Sequence, residues 1–347
     1  SREGPSFIRA LGLTDATMLV VGCIVGVGIF RTASSIATHL HSPALILALW
    51  VFGGGLSLCG ALCYAELAAM FPATGGDYIY IGTVYGRFWG FLFGCTKLFI
   101  ERTGTIAILG YVFAEYLRRV IPYDDSLLRP VASAAILLLT LVNVAGIRWG
   151  TYTQNLFTIL KSVALGTLIA VGLHAFLTHN TVAPDWTMPT LDGSVIQSMG
   201  IALIFVLWTY GGWTEAAYVA EEVKDPTRNV PRAIVHGLAL TTIVYVLVNW
   251  SYLLFIPMER LAETPLVAST VMQDAIGPAG AVFIASMIAC SAFGALNGYI
   301  LTGARILYAM GKDHALFARL GVVHPSFHTP ARALWKNAAN AIALVCT

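Results

Sequence analysis

Apolar residues run along this chain in long blocks, with neither the alternation of half-buried strands nor the narrow stripe of a soluble surface helix. The blocks cover residues 13–39, 43–70, 88–118, 128–147, 152–177, 196–222, 232–256 and 279–310, and a ninth begins near 333. A helix needs about 20 mostly apolar residues to cross the hydrocarbon core of a bilayer. The pattern therefore predicts eight membrane-crossing helices and the start of another. Turn-rich polar segments divide the blocks, such as Phe71-Pro-Ala-Thr-Gly-Gly-Asp77. The stretch after it reads as a short amphipathic helix on the inner membrane face. Ser269–Ala275 reads as an outer helix packed over whatever the helices enclose.

Two blocks are interrupted. Val21–Phe30 reads VGCIVGVGIF, with Gly26 and Gly28 on either side of Val27. Trp208-Thr-Tyr-Gly-Gly-Trp213 carries Gly211 and Gly212. Each glycine costs a helix about 1 kcal/mol relative to alanine. Backbone groups freed by a break cannot be satisfied by lipid, so a break survives only where it lines a cavity or binds something polar. Glycine pairs also serve close helix packing. The presence of two breaks in matching places of two halves favours a transporter's binding site. Five blocks precede the second break, so the sixth crosses in the opposite sense from the first. One transmembrane domain, 1–347, then holds a first repeat at about 13–177 and an inverted, incomplete second repeat at about 196–347. Half-helix N-termini at the breaks suit a carboxylate, and freed carbonyls suit an ammonium. An α-amino acid carries both groups. The expected site has backbone N–H groups of Gly26, Val27, Gly28 and Ile29 on the carboxylate. Carbonyls of Tyr210, Gly211 and Gly212, and those just before Gly26 such as Val25, are placed on the amino group.

Composition excludes the soluble classes. Of 347 residues, 57% are hydrophobic and 11% charged, against about 25% charged in an average soluble domain; mean hydropathy is +0.76. With a net charge of +2 and no long basic run, nothing points to nucleic acid. If the N-terminus is cytoplasmic, 12 Lys/Arg, Arg2 among them, fall on the inner side and 5 on the outer, the expected bias. Ser1–Leu11 is polar and leads straight into the first block, so no cleavable signal peptide is expected. The chain stops inside an apolar run, which reads as a fragment. Six cysteines all fall within blocks and read as small buried hydrophobes. Eight histidines show no metal-binding spacing, and there is no nucleotide loop and no nucleophile–base pair. No cofactor, metal or enzymatic reaction is expected.

Few charges lie inside the blocks. Lys161, in NLFTILKSVAL, is nine residues past Tyr152, or roughly 14 Å along a helix. That is deep for a side chain reaching back to the interface, so Lys161 is a functional candidate. Lys97 and Glu101 are spaced for an i,i+4 ion pair, with Arg102 beside them. Asn297 suits a bond across helices, either toward Lys161 or the substrate or purely structural. Asp225, Arg228 and Arg232 read as inner-gate or loop-ordering charges.

Four stretches carry a family resemblance: GVGIF (26–30), PATGGDYIYI (72–81), EEVKDPTRNVPRAI (221–234) and AFGALNGYILTGARILYAMGKD (292–313). Together, and in this order from Gly12 to Leu334, they resemble the amino acid–polyamine–organocation superfamily and, within it, the L-type amino-acid transporter branch. The resemblance implies an all-α polytopic fold, the leucine-transporter-type five-plus-five inverted repeat, here truncated after about eight of the usual twelve spans. It implies that Trp208 closes over the substrate from outside, favouring small to medium neutral side chains. Lys161 would take the place of a sodium ion and tether the first and eighth helices. The implied activity is sodium-independent exchange of neutral L-amino acids in a bacterial-type, multi-pass inner-membrane protein. The alternative is proton-coupled symport; a channel would need a selectivity-filter motif, and none is found. Animal heteromeric relatives carry a cysteine between spans 3 and 4. Ile121–Pro130 has none, so no disulfide-linked heavy chain is expected. The expected partners are amino-acid substrates and the lipid bilayer.

Overall fold

The structure, a computed structural model, describes residues 6–178 and 181–347; Arg2 and the rest of the first five residues of the polar leader lie outside them. The described residues form helices joined by turns. The first block is α1 (Leu13–Ile24), a single 3-10 turn at Gly28–Phe30, and α2 (Thr32–Ala37). α3 (Pro43–Met70) returns, opened by Pro43 in its first turn and by Ser42, whose hydroxyl accepts from the Leu45 amide at 3.4 Å. The short inner helix is α4 (Asp77–Tyr85). The third crossing is α5 (Arg87–Thr96), a π-turn at Lys97–Glu101, and α6 (Arg102–Val120). π-turns are frequent at functional sites, and this one carries Lys97 and Glu101 and ends against Arg102. α7 (Leu128–Val144) and α8 (Ile147–Leu177) follow. The expected fourth span ran to 147 and the fifth began at 152. The chain instead turns at Gly146, whose φ of +145° favours glycine, and α8 starts directly after it.

The second broken crossing is α9 (Gly193–Tyr210), the Gly211–Thr214 turn, α10 (Glu215–Tyr218) and a 3-10 turn to Glu222. α11 (Pro226–Phe255) begins six residues before the expected 232, because Pro226 opens its first turn. α12 (Met258–Ala262) and α13 (Val267–Ile276) lie at the far end. α14 (Pro278–Asp313) and α15 (Ala331–Cys346) complete the described chain. The expected cover at 269–275 is present as α13, but it packs on α14, α11 and α8. α12 sits against α2 instead, where the Ser34 hydroxyl donates to the Ala262 carbonyl at 3.0 Å.

α3, α7, α8, α9, α11 and α14 are each long and apolar enough to cross a membrane. The first and third crossings fall short as single helices because a break and a charged π-turn divide them. α11 lies along α3 and α1, and α14 along α6 and α8. At the centre Trp50, Tyr210 and Tyr245 pack edge to face or tilted, 5.3–5.7 Å apart, a geometry favoured by ring quadrupoles. The Tyr245 hydroxyl donates to the Ile24 carbonyl at 2.9 Å and lies 3.4 Å from the Thr209 carbonyl. One phenol thus touches the chain just ahead of both breaks. The cysteines do not all behave as buried hydrophobes: Cys23 is buried, but Cys59, Cys63 and Cys346 are exposed on helix surfaces.

α9 is begun by Asp192, whose carboxylate accepts from the Ser194 hydroxyl at 2.6 Å and from the Ser194 and Val195 amides at 3.0 and 2.9 Å. The Ser194 hydroxyl first, then the Val195 amide, hold this carboxyl below the usual carboxylate range. The cap is therefore present at neutral pH and is lost as pH falls through that lowered value. Hydrogen exchange of the Ser194 and Val195 amides should speed up, beyond the intrinsic pH effect, in Asp192→Ala at pH 7. In the parent the same loss of protection should appear only in acid. Equal protection in the two proteins at pH 7 would remove Asp192 as the cap.

Candidate functional site

α1 runs out because Val25 still donates to Val21 at 2.8 Å while Gly26 folds back onto the Ile24 carbonyl at 2.8 Å. Helical bonding resumes only with Phe30 onto Val27. The amides of Val27, Gly28 and Ile29 make no hydrogen bond among the described residues, and a Cβ on Gly26 would meet nothing within 4 Å. Three consecutive unused donors next to the open space at Gly26 have the chemistry of an anion-binding backbone turn. At the second break Gly211 donates to Trp208 at 3.1 Å and Glu215 to Gly212 at 3.3 Å. The carbonyls of Tyr210 and Gly211 accept nothing among the described residues. Gly212 has φ +110°, and a Cβ there would lie 2.9 Å from the Cys23 carbonyl carbon and oxygen. The absent side chain lets the two breaks touch.

Lys161 lies fully buried on α8. Its ammonium donates to the carbonyls of Gly22 at 2.8 Å, Val25 at 2.7 Å and Ser291 at 3.2 Å. An ammonium has three donors, and all three are used, which offsets much of the cost of burying the charge. This side chain joins α8 to the end of α1 and to α14. The Ser291 hydroxyl lies 3.1 Å from the Val25 carbonyl and 3.0 Å from that of Gly26. The carbonyls just before Gly26 are therefore not free for a substrate's amino group as expected: Lys161 takes Gly22 and Val25, and Tyr245 and Gly26 take Ile24. The carbonyls of Tyr210 and Gly211 on the second break are open, and that of Cys23, also without a donor, is covered by Gly212.

Other expected residues are placed differently. The Trp208 ring comes within 3.5 Å of a Cβ position on Gly28, yet it is 67% exposed, so it stands beside the first break without sealing it. The Tyr210 ring is buried, and its hydroxyl donates to the Trp50 carbonyl at 3.0 Å; only its backbone faces the break. Asn297 reaches neither Lys161 nor the breaks. Its amide donates to the Gly150 carbonyl at 3.0 Å and to Gln154 at 2.9 Å, and accepts from Asn143 at 2.8 Å. It is a structural tie among α7, α8 and α14. Lys97 and Glu101 pair at 3.3 Å as expected.

Two buried ion pairs were not found from the sequence. Arg102 on α6 meets Glu215 on α10 at 2.8 Å, and Arg305 on α14 meets Glu222 at 2.9 and 3.0 Å. An acidic residue three positions past Gly212, inside an apolar block, was the available signal for the first. Asp225, Arg228 and Arg232 form no ion pair among the described residues. The contacts at the Leu11 end are made instead by Arg305–Glu222 and by Tyr78, which donates to Asp313 at 2.9 Å. There the chain at Leu11 also pairs with Val223 as an isolated β-bridge.

The arrangement matches known proteins. The family model described as "Amino acid permease" matches residues 11–347. The chain is 32% identical over 335 residues to the b(0,+)-type amino acid transporter 1 of Oryctolagus cuniculus, covering 95% of this chain and 68% of that protein. It is 32% identical over 330 residues to the serine/threonine exchanger SteT of Bacillus subtilis (strain 168), covering 93% and 73%. Against the human Asc-type amino acid transporter 1 it is 32% identical, covering 94% and 63%. The chain thus spans about two thirds of these relatives' length. A solved structure of a Na+-coupled sialic acid symporter in a substrate-bound outward-open state superposes with a TM-score of 0.62 at 15% identity. It covers 98% of this chain and 75% of that one, a likeness of fold alone. The relatives are transporters, and the fold is a multi-pass membrane bundle with two broken helices. This chain belongs to the amino acid permease family, in the L-type branch of the amino acid–polyamine–organocation superfamily.

Proposed function

We propose that this chain exchanges small to medium neutral L-amino acids across a bacterial inner membrane, without sodium and with its N-terminus cytoplasmic. The protein alternates access around its two breaks. The observation that carries this reading is Lys161. Its ammonium fills the space between the end of α1 and α14 with a fixed positive charge bonded to three carbonyls. A cation from solution then has no carbonyl set there to join. The free amides of Val27, Gly28 and Ile29 receive the substrate carboxylate, and the Tyr210 and Gly211 carbonyls receive its amino group. Trp208, beside Gly28, limits the length of the side chain, and no disulfide-linked heavy chain takes part. The name of one relative, the serine/threonine exchanger SteT, supports exchange and small neutral substrates.

The test is uptake of radiolabelled serine or threonine by proteoliposomes holding the full-length protein, in sodium-free buffer at equal pH. Uptake into vesicles preloaded with unlabelled amino acid, and none into empty ones, is expected. Uptake into empty vesicles that rises with an inward proton gradient would replace exchange with proton-coupled symport. A requirement for sodium would overturn the reading of Lys161.

A further inference from the structure

Two buried Arg–Glu pairs hold the chain beyond the second break, and they are built differently. Arg305 and Glu222 form a two-pronged pair: Nε to one carboxylate oxygen at 3.0 Å and one Nη to the other at 2.9 Å. The remaining Nη donates to the Leu301 carbonyl at 2.8 Å. Both partners are at most 1% exposed, and every charged atom has a partner. Arg102 and Glu215 are equally buried but share one good bond, Nη2 to Oε1 at 2.8 Å. Arg102 Nη1 and Glu215 Oε2 are buried with no hydrogen-bond partner. Arg102 Nε has only Glu101 nearby, at 3.3 Å without hydrogen-bond geometry. The guanidinium is otherwise sandwiched between the rings of Tyr218 and Tyr299, 4.9 and 5.0 Å away.

A buried ion pair stabilises only when its remaining donors and acceptors are satisfied. By that criterion Arg305–Glu222 is a fixed strut, whereas Arg102–Glu215 is poised near balance. Glu215 begins α10, the short half-helix after the break, and Arg102 begins the long α6. Another buried polar group lies near Arg102. Asn337 on α15 is 1% exposed, and both ends of its amide are unpartnered. Gly303 separates the two: a Cβ there would lie 2.7 Å from Asn337 Nδ2 and 3.5 Å from Arg102 Cδ. Arg102 thus has a buried, unpartnered amide for a near neighbour across Gly303.

We propose that Arg102–Glu215 is a breakable latch within the membrane, holding α10 against α6, and that its release opens the Leu11 end of the substrate path. Arg102 and Glu215 are positioning residues in this scheme; neither contacts the carboxylate-binding amides. The proposal rests on the alternating-access reading, but not on which amino acid is carried.

Cys23 gives a reporter. It is 3% exposed, lies on the Leu11 side of the first break, and its backbone abuts Gly212. In the full-length protein with every cysteine but Cys23 replaced by serine, a charged methanethiosulfonate reagent should label Cys23 slowly. Arg102→Gln/Glu215→Gln removes both charges together, so no lone buried charge is left. It should raise the labelling rate at least tenfold while the protein stays monodisperse. Glu215→Asp, which draws the carboxylate back by one methylene, should give an intermediate rate and serves if the double variant does not fold. Glu222→Gln/Arg305→Gln should lower the melting temperature and leave labelling of the folded fraction within twofold of the parent. Parent-like labelling after the latch substitutions would overturn the proposal, and so would equal acceleration by the strut substitutions. Labelling needs no amino acid, so a failed exchange assay with accelerated labelling would discard the substrate assignment and keep the latch.

Discussion

Lys161→Met in the full-length protein is expected to lower exchange at least a hundredfold and to reduce the melting temperature by several degrees. Methionine preserves most of the side-chain length and packing. What it removes is the ammonium that donates to Gly22, Val25 and Ser291. The Gly22 carbonyl left without a partner costs about 1–3 kcal/mol, whereas that of Val25 keeps the Ser291 hydroxyl. Part of the loss is recovered because the charge itself no longer has to be buried. The remainder falls where α1 ends, so the free amides of Val27–Ile29 lose their fixed position. Counterflow in proteoliposomes and thermal unfolding in detergent read the two effects. Wild-type exchange in a stable Lys161→Met protein would show that the three carbonyl contacts do not organise the site.

The two breaks should respond to substitution in opposite ways. Gly26 faces open space, with nothing within 4 Å of a Cβ position, and its φ is not in the left-handed region. Gly26→Leu should therefore fold with a melting temperature near the parent's. Its side chain would fill the concavity beside the free amides, so binding should fall below detection by scintillation proximity or by thermal shift with added amino acid. Gly212→Ala is a smaller change with a larger structural effect. It places a methyl 2.9 Å from backbone atoms of Cys23 at φ +110°. Left-handed backbone costs a non-glycine residue about 1–2 kcal/mol, and overpacking typically adds 1–3 kcal/mol. A loss of several degrees in melting temperature is expected, together with weakened binding. Retained affinity in Gly26→Leu would move the site away from the first break.

Both breaks were legible because glycine pairs inside apolar blocks have a local cause and a local effect. Lys161 was legible for the same reason: a charge in hydrocarbon is conspicuous before any partner is known. The partners were not. That Lys161 takes the carbonyls of Gly22 and Val25 depends on how α8 lies against α1. That Asn297 bonds to Gln154 and Asn143 depends on α7 and α8, far away in sequence. Arg102 was visible as a charge, but its pairing with Glu215 joins the third crossing to the sixth, and no spacing rule spans that distance. The cysteines failed for another reason. Membrane lipid and protein interior are both apolar, so hydrophobic surroundings in the sequence do not say which of the two a thiol faces; Cys59 and Cys63 face outward. The start of α8 was misplaced because hydropathy does not mark a backbone turn such as the one at Gly146.

The Tyr245 hydroxyl, 2.9 Å from the Ile24 carbonyl and 3.4 Å from that of Thr209, has a mechanical consequence. A phenol is a rigid spacer: its oxygen sits at a fixed reach from α11, unlike the end of a lysine or glutamate. α1 and α9 are thus gauged from one common point, and the gap between their ends does not depend on what fills it. In the proposed site this makes a calliper set to the one part every α-amino acid shares, its ammonium-to-carboxylate span. Discrimination among amino acids then falls to whatever surrounds the side chain.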